Sequence, residues 1–280
     1  MNPDKEFEFT SEDFDYLRGI VTRTTGIVAP DDKYTMYYSR LARRLRSLGL
    51  PTFAAYRDFL KNNQESESIE LVNAVTTNLT SFFREKHHFD YIRDTLIPEK
   101  IRQGDYRLRI WSAGCSTGEE PYTIAITLLD SIADISRWDI KILATDIDSN
   151  VLKTASAGIY DSNRVSSLEL GILRRHFKKG SASNQGKVRV NPVMQNLVQF
   201  RQLNLLHNWP IADKMDFIFC RNVVIYFDKD TKAGLVDRFA NQLKADGLLF
   251  MGHSESLYKA TDRFSLLGKT IYQLTEKCKN

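Results

Sequence analysis

Residues 108–122, LRIWSAGCSTGEEPY, decide how the rest of the chain is read. They open as a short apolar strand over 108–111 and break into the small residues Ser112, Ala113, Gly114, Cys115, Ser116, Thr117 and Gly118. They close with Glu119, Glu120 and Pro121, which start an apolar-periodic helix reaching about residue 129. Strand, glycine turn and helix N-terminus, in that order, build the ligand pocket of an open α/β sheet. Small residues let the backbone approach a ligand, and a proline with two acids suits a first helical turn. A phosphate ligand is not expected. No Lys-Ser or Lys-Thr pair follows the last glycine, and two glutamates at the helix start repel a pyrophosphate. A cationic ligand carrying hydroxyls fits better, and S-adenosylmethionine (SAM) is such a ligand.

The 280 residues can bury a full α/β core and carry a small second domain. No apolar run approaches the roughly 18 residues of a membrane span. The N-terminal stretch MNPDKEFEFTSEDFD is acidic and lacks the apolar segment of a secretory signal. The cysteines, Cys115, Cys220 and Cys278, are three and far apart. They fit neither a disulfide framework nor a metal cluster, and point to a reducing cytoplasm. The net charge of +4 does not by itself imply nucleic acid.

Residues 10–100 read as helical. Thr10 or Ser11 caps a first helix that Gly26 ends. A second helix spans about 32–48, a third 52–61 and a fourth 66–77. From Lys33 through Arg57 there is no acidic residue. In the second helix Tyr37, Tyr38, Leu41, Leu45 and Leu48 share one arc, while Arg40, Arg43, Arg44 and Arg46 take the other. A soluble helix usually mixes charge signs for i,i+4 pairs, so this basic face reads as a docking surface for an acidic partner. In 78–84, NLTSFFR, the Asn, Thr and Ser favour a turn. Phe82 and Phe83 anchor it in a core with Arg84 at its edge. His87 and His88 are adjacent on a helix, point in different directions, and are not expected to bind a metal.

The polar stretch 102–107 leads into the α/β part. Strand two, 140–144, runs into Thr145 and Asp146. An acid just past the second strand sits where such folds hold ribose hydroxyls, so Asp146 is the ligand residue; Asp148 and Ser149 cap the next helix. A short helix over 167–177, a Gly/Ser loop over 179–186, and the alternating Val188, Val190, Val198 and Phe200 predict a small antiparallel insert. Strand 217–220 ends in Arg221, Asn222 and, further on, Tyr226, all at the carboxyl side where ligands bind. A helix over 229–243, strand 248–251 and a terminal hairpin, 264–267 with 270–274, complete the sheet. Ser254 lacks the G-x-S-x-G elbow of a nucleophile.

The motifs NLTSFFRE (78–85), WSAGCSTGEEPYTIA (111–125), ATDID (144–148) and FCRNVVIYF (219–227), followed by GLLFMGHSE (247–255), carry a resemblance. Over about 9–274 the chain resembles the CheR family of chemotaxis receptor methyltransferases. The resemblance implies an all-α N-terminal domain with linker over 1–100. A Rossmann-like SAM-dependent methyltransferase domain follows over 101–280, with the antiparallel β-insert at about 178–200. It implies methyl transfer from SAM to glutamates of the cytoplasmic helical bundle of chemoreceptors, leaving S-adenosylhomocysteine. It places cofactor contacts on Asn78, Thr80, Arg84, Glu120, Asp146, Asn204, Leu205, Arg221 and Asn222. Arg84 and Tyr226 correspond to the pair nearest the transferred methyl. The basic helix corresponds to a receptor-docking element, and the insert to one that in some members holds a receptor C-terminal tethering peptide. A cytoplasmic monomer that neither inserts in membranes nor binds nucleic acid is expected.

A carboxylate of pKa about 4.3 is already ionised at neutral pH and needs no general base. This agrees with the lack of histidine in the four main motifs. Two other readings stand beside this one: a SAM methyltransferase acting on RNA or another protein, and a non-catalytic SAM-binding adaptor. The sequence C-R-N-V-V-I-Y after strand 217–220 is not the N-P-P-Y type that methylates base amino groups. The basic helix also lacks flanking stacking aromatics. An adaptor would lose the methyl-proximal pair, which is present.

Overall fold

In a computed structural model of the chain, residues 6–257 and 261–278 are described; residues 1–5 of the acidic N-terminal stretch lie outside it. The chain forms two compact units, one of residues up to 77 together with 226–231, the other of 78–225 and 232 onward.

The first unit is helical. Helix α1, Ser11–Thr25, is closed at its start by a capping box: the Thr10 hydroxyl accepts the Asp13 N–H while the Asp13 carboxylate accepts the Thr10 N–H. Gly26, at φ +74°, ends it in the left-handed conformation a glycine tolerates. Helices α2, Tyr34–Leu48, α3, Phe53–Asn62, and α4, Gln64–Val75, follow. Their apolar arcs meet in a core that includes Leu17, Tyr37, Leu41, Leu45, Phe53, Tyr56 and Leu71.

The arginines of α2 find acids that their own helix lacks. Arg44 makes a two-pronged bond to Glu67 of α4, which is buried and also accepts the Tyr56 hydroxyl. Arg40 donates to the carbonyls of Val75 and Thr76 at the end of α4, where the helix dipole favours a cation. Arg46 pairs with Glu6. Arg43 is exposed and has no acidic partner among the described residues. The basic face is therefore partly a set of internal ties.

The second unit begins with α5, His87–Tyr91, which passes through a π-helical turn, Ile92–Leu96, into α6, Ile97–Gln103. These segments pack with this unit. Phe89, Ile92 and Ile97 join the main core, and Lys100 pairs with the buried Asp216 at 3.0 Å. The boundary expected near residue 100 accordingly falls at 77/78. There follow β1, Arg107–Ala113; α7, Glu119–Ser131; β2, Asp139–Asp146; α8, Ser149–Ala157; β3, Ile159–Asp161; α9, Leu170–His176; and β4, Phe177–Lys179. Then come β5, Lys187–Val190; α10, Pro192–Leu197; β6, Val198–Gln202; β7, Met215–Cys220; α11, Lys229–Gln242; β8, Leu243–Met251; β9, Phe264–Gly268; and β10, Ile271–Leu274.

The main sheet has seven strands in the order β6-β2-β1-β7-β8-β10-β9. From β6 to β8 neighbours run parallel, and β10 and β9 are antiparallel. The strand order reverses between β1 and β7. Ligands of such sheets bind outside the carboxyl ends of the strands at that switch. Strands β1 and β7 are buried along nearly their whole length, as parallel strands covered on both faces must be.

The antiparallel insert is real but lies elsewhere. Its three strands, in the order β3-β5-β4, come from residues 159–190. The expected span of about 178–200 is corrected at both ends. Val198 and Phe200 belong to β6, the edge of the main sheet, paired in parallel with β2. Alternation marks a half-exposed strand, and an edge strand is half-exposed whichever sheet it joins. Among the described residues no helix is long and apolar enough to cross a membrane.

Candidate functional site

The glycine turn forms because β1 must stop and α7 must start within five residues. Gly114 at φ +94° and Gly118 at φ +95° supply left-handed backbone, and Ser116 joins them at φ +49°. Neither glycine has room for a side chain. A Cβ on Gly114 would lie 2.4 Å from Val223 Cγ2, and one on Gly118 would lie 2.8 Å from the Ala155 Cβ. The turn is sewn to the end of β2, since Gly114 and Cys115 both donate to the Thr145 carbonyl.

Asp146 ends β2 beside that turn. One carboxylate oxygen accepts the Ser116 N–H at 2.8 Å and the other the Asp148 N–H at 3.0 Å. Burial pushes its carboxyl up to about 6, against the opposing pull of those backbone donors. Asp148 caps α8 by accepting the Asn150 and Val151 N–H groups. The Asn78 amide donates to Asp148 at 2.7 Å, and the Asn78 carbonyl accepts the Ser116 hydroxyl at 2.8 Å. The Leu203 N–H donates to the Asp146 carbonyl, which brings Asn204 and Leu205 to the same strand end. The Asn204 side chain accepts the Leu206 N–H.

A second cluster gathers on Arg221, at the end of β7. Its guanidinium pairs with Glu120 at 3.0 Å, lies 3.4 Å from Glu85, and donates to the Arg84 carbonyl. The other Glu120 oxygen accepts the Ser112 hydroxyl at 2.6 Å. Both oxygens of Glu120, expected to face a cationic ligand, are thus engaged within the protein. Burial raises its pKa against the pull of Arg221. Arg84 stands between two residues of left-handed backbone, Phe83 at φ +53° and Glu85 at φ +55°, and its side chain donates to the Leu79 carbonyl at 2.8 Å. Asn222, at φ +59°, is pinned by its N–H to Glu255 at 2.7 Å.

Glu255 is fully buried and also receives the Gly252 and Ile225 N–H groups. Its partners lie about thirty residues away or at a glycine, and no local spacing announces them. Tyr226 belongs to the helical unit, where its carbonyl accepts the Val28 N–H. The expectation that His87 and His88 diverge is corrected. Their rings lie 4.2 Å apart, and both Nε2 atoms stand 3.1 Å from the Lys269 carbonyl. The hairpin turn between β9 and β10 presents one oxygen that both imidazoles reach. With Glu85 they form a cluster whose ligand-capable atoms lie within 4.8 Å of one another.

The site fits SAM. An acid ends β2 where a ribose would be held, a turn of small residues adjoins it, and Glu119, Glu120 and Asp146 surround the turn in buried positions. If ionised Asp146 holds the hydroxyls, SAM affinity should fall as pH drops through about 6, by up to about tenfold per pH unit. Titration calorimetry from pH 5 to 8 reads this, and Asp146→Asn should flatten the profile.

A parallel sheet with this switch point, this turn and a terminal antiparallel hairpin defines a Rossmann-like SAM-dependent methyltransferase. Residues 78–273 match the CheR methyltransferase SAM-binding domain, and residues 12–76 match the CheR all-alpha domain. The chain belongs to the CheR family. It is 45% identical over 269 residues to chemotaxis protein methyltransferase 2 of Pseudomonas aeruginosa, covering 96% of this chain and 95% of that one. It is 45% identical to the chemotaxis protein methyltransferase of Escherichia coli, over 94% of this chain and 91% of that one. The same identity holds to the Salmonella typhimurium enzyme, over 92% and 88%.

Proposed function

We propose that this enzyme methylates glutamate side chains on the cytoplasmic helical bundle of chemoreceptors, forming glutamyl methyl esters for chemotactic adaptation. The observation that carries the reading is the match of both CheR domains, in order, across nearly the whole chain. An RNA substrate or a catalytically silent adaptor has no comparable support. The protein works in the cytoplasm as a monomer.

Bound SAM supplies an electrophilic methyl group on a sulfonium. Asp146 holds the ribose hydroxyls, and Asn78, Thr80, Asn204, Leu205 and Asn222 line the cofactor. Glu120 and Arg221 set the local charge and geometry as a pair. Arg84 and Tyr226 orient the receptor carboxylate, which is ionised at neutral pH and needs no base. Arg84 must orient without holding too tightly, because binding ground and transition states equally gives no rate. Exclusion of water favours the reaction, since the carboxylate and sulfonium charges cancel as the ester forms.

Receptor docking falls to the basic face of α2. Arg43 and Arg46 are exposed enough to steer an acidic bundle, whereas Arg40 and Arg44 also hold α4. Arg43→Glu should slow receptor association roughly threefold to tenfold at low salt, with the deficit fading as salt rises and stability unchanged. Stopped-flow association over a salt series measures this. A salt-independent deficit would point to folding instead. The small sheet offers its edge strand β4, with exposed Lys178 and Lys179, to an extended receptor-tail peptide.

The experiment that tests the function uses methyl-labelled SAM, the purified protein and membranes containing chemoreceptors. Receptor-bound label released as methanol by mild base is the expected result. Label absent from every receptor while SAM still binds would overturn the substrate assignment.

A further inference from the structure

We propose that Arg164, which lies just after the first strand of the small sheet, is a positioning residue for SAM binding: it clamps the glycine turn and the Thr80 segment, and so couples the small sheet to the cofactor site. The inference rests on reading the glycine turn as the SAM site.

Arg164 sits in the single 3-10 turn Ser162–Val165 that follows β3. One guanidinium nitrogen donates to the Thr80 carbonyl at 3.2 Å and the Thr117 hydroxyl at 3.4 Å, and pairs with the Glu119 carboxylate. Glu119 is fully buried, and its other oxygen accepts the Thr117 hydroxyl at 2.6 Å. Among the described residues, Arg164 supplies the cation for this carboxylate. Tyr160, on β3 itself, adds a bond from its hydroxyl to the Thr117 carbonyl at 2.7 Å. Phe82 rests edge-on against Tyr160 and Phe177 of the same small sheet, with ring centroids 5.3 and 5.4 Å apart.

Two segments that line the cofactor site are therefore held from one side. The turn needs such support. Three of its residues occupy left-handed backbone, one of them a serine, and such conformations persist only where surrounding contacts fix them. Freed from Arg164, Glu119 would be a buried charge without a cation, and the turn would relax toward water. Ser116, whose N–H holds Asp146, sits three residues before Glu119, so the relaxation reaches the ribose-binding acid. Coupling of this kind is reciprocal: what orders the small sheet tightens SAM, and SAM orders the small sheet.

The test measures SAM affinity by calorimetry on the full chain, with kcat and KM from the receptor assay. Arg164→Ala should raise the SAM Kd about tenfold, with KM following and kcat within about twofold. Arg164→Lys should recover part of this, since lysine restores the charge but not the planar fork. The paired variant Arg164→Met with Glu119→Gln leaves no unpaired buried charge. It should melt near the parent temperature yet bind SAM weakly, and it decides the matter if the alanine variant does not fold. An unchanged Kd in the paired variant, or a kcat loss at constant Kd, overturns the proposal. Failure of the parent protein to bind SAM would instead overturn the reading of the turn on which the proposal rests.

Discussion

Arg221→Met should be among the most damaging single substitutions in the chain, costing about 3–5 kcal/mol of stability. The residue is 2% exposed in its side chain and stands between two acids, the buried Glu120 at 3.0 Å and the half-buried Glu85 at 3.4 Å. Its aromatic neighbour Phe89 lies 5.6 Å away, on the same guanidinium. Methionine fills similar volume, so the loss is one of charge. Glu120 would keep only the Ser112 hydroxyl in a site where burial already raises its pKa. A folded-state pKa above the unfolded value contributes stability that is present at acid pH and lost as pH rises through the folded pKa. The deficit of Arg221→Met should therefore be smallest in acid and grow toward neutrality. Denaturant melts across pH measure it. The double variant with Glu120→Gln should recover much of the loss, since the two residues touch and their effects cannot add. A flat pH profile would mean that the pair contributes nothing electrostatic.

How much of this could be read beforehand depended on where each residue's partner lies. The β1–turn–α7 unit was legible because strand, glycines and helix start are contiguous. The start of α1, with Thr10 or Ser11 as its cap, was legible for the same reason, as was Asp146 at the end of the second strand. The internal ties of α2 were not. Arg44 meets Glu67 twenty-three residues later, and a run without acids looks like a free surface until α4 is folded against it. The boundary at 77/78 was hidden because the apolar faces of 87–103 suit a helical domain and an α/β core equally well. Strand β6 was misplaced because its alternation fits any half-exposed strand, and its partner β2 lies over fifty residues earlier. Arg164 lay in no motif, and Glu85 and Glu255 closed motifs that gave no sign of their roles. Each acts through contacts that only the tertiary fold creates.

Arg84→Ala should leave a folded protein that binds SAM but transfers methyl about 10²- to 10³-fold more slowly, the usual consequence of losing a group that positions reacting atoms. Stability should change little. The side chain is half-exposed, and its bond to the Leu79 carbonyl closes a local turn. What the protein invests in this residue is backbone geometry. Left-handed residues stand on either side, Phe82 is buried beneath, and the Arg84 carbonyl is held by Arg221. Strained backbone concentrates where a side chain must be aimed. Arg84→Lys keeps the charge but not the fork that fits a carboxylate, so it should recover only part of the rate. Base-labile label on the receptor, followed at saturating SAM, gives kcat directly. A fall in kcat with SAM affinity nearly constant places Arg84 on the acceptor carboxylate. A rise in the SAM Kd with kcat preserved would place it on the cofactor alone.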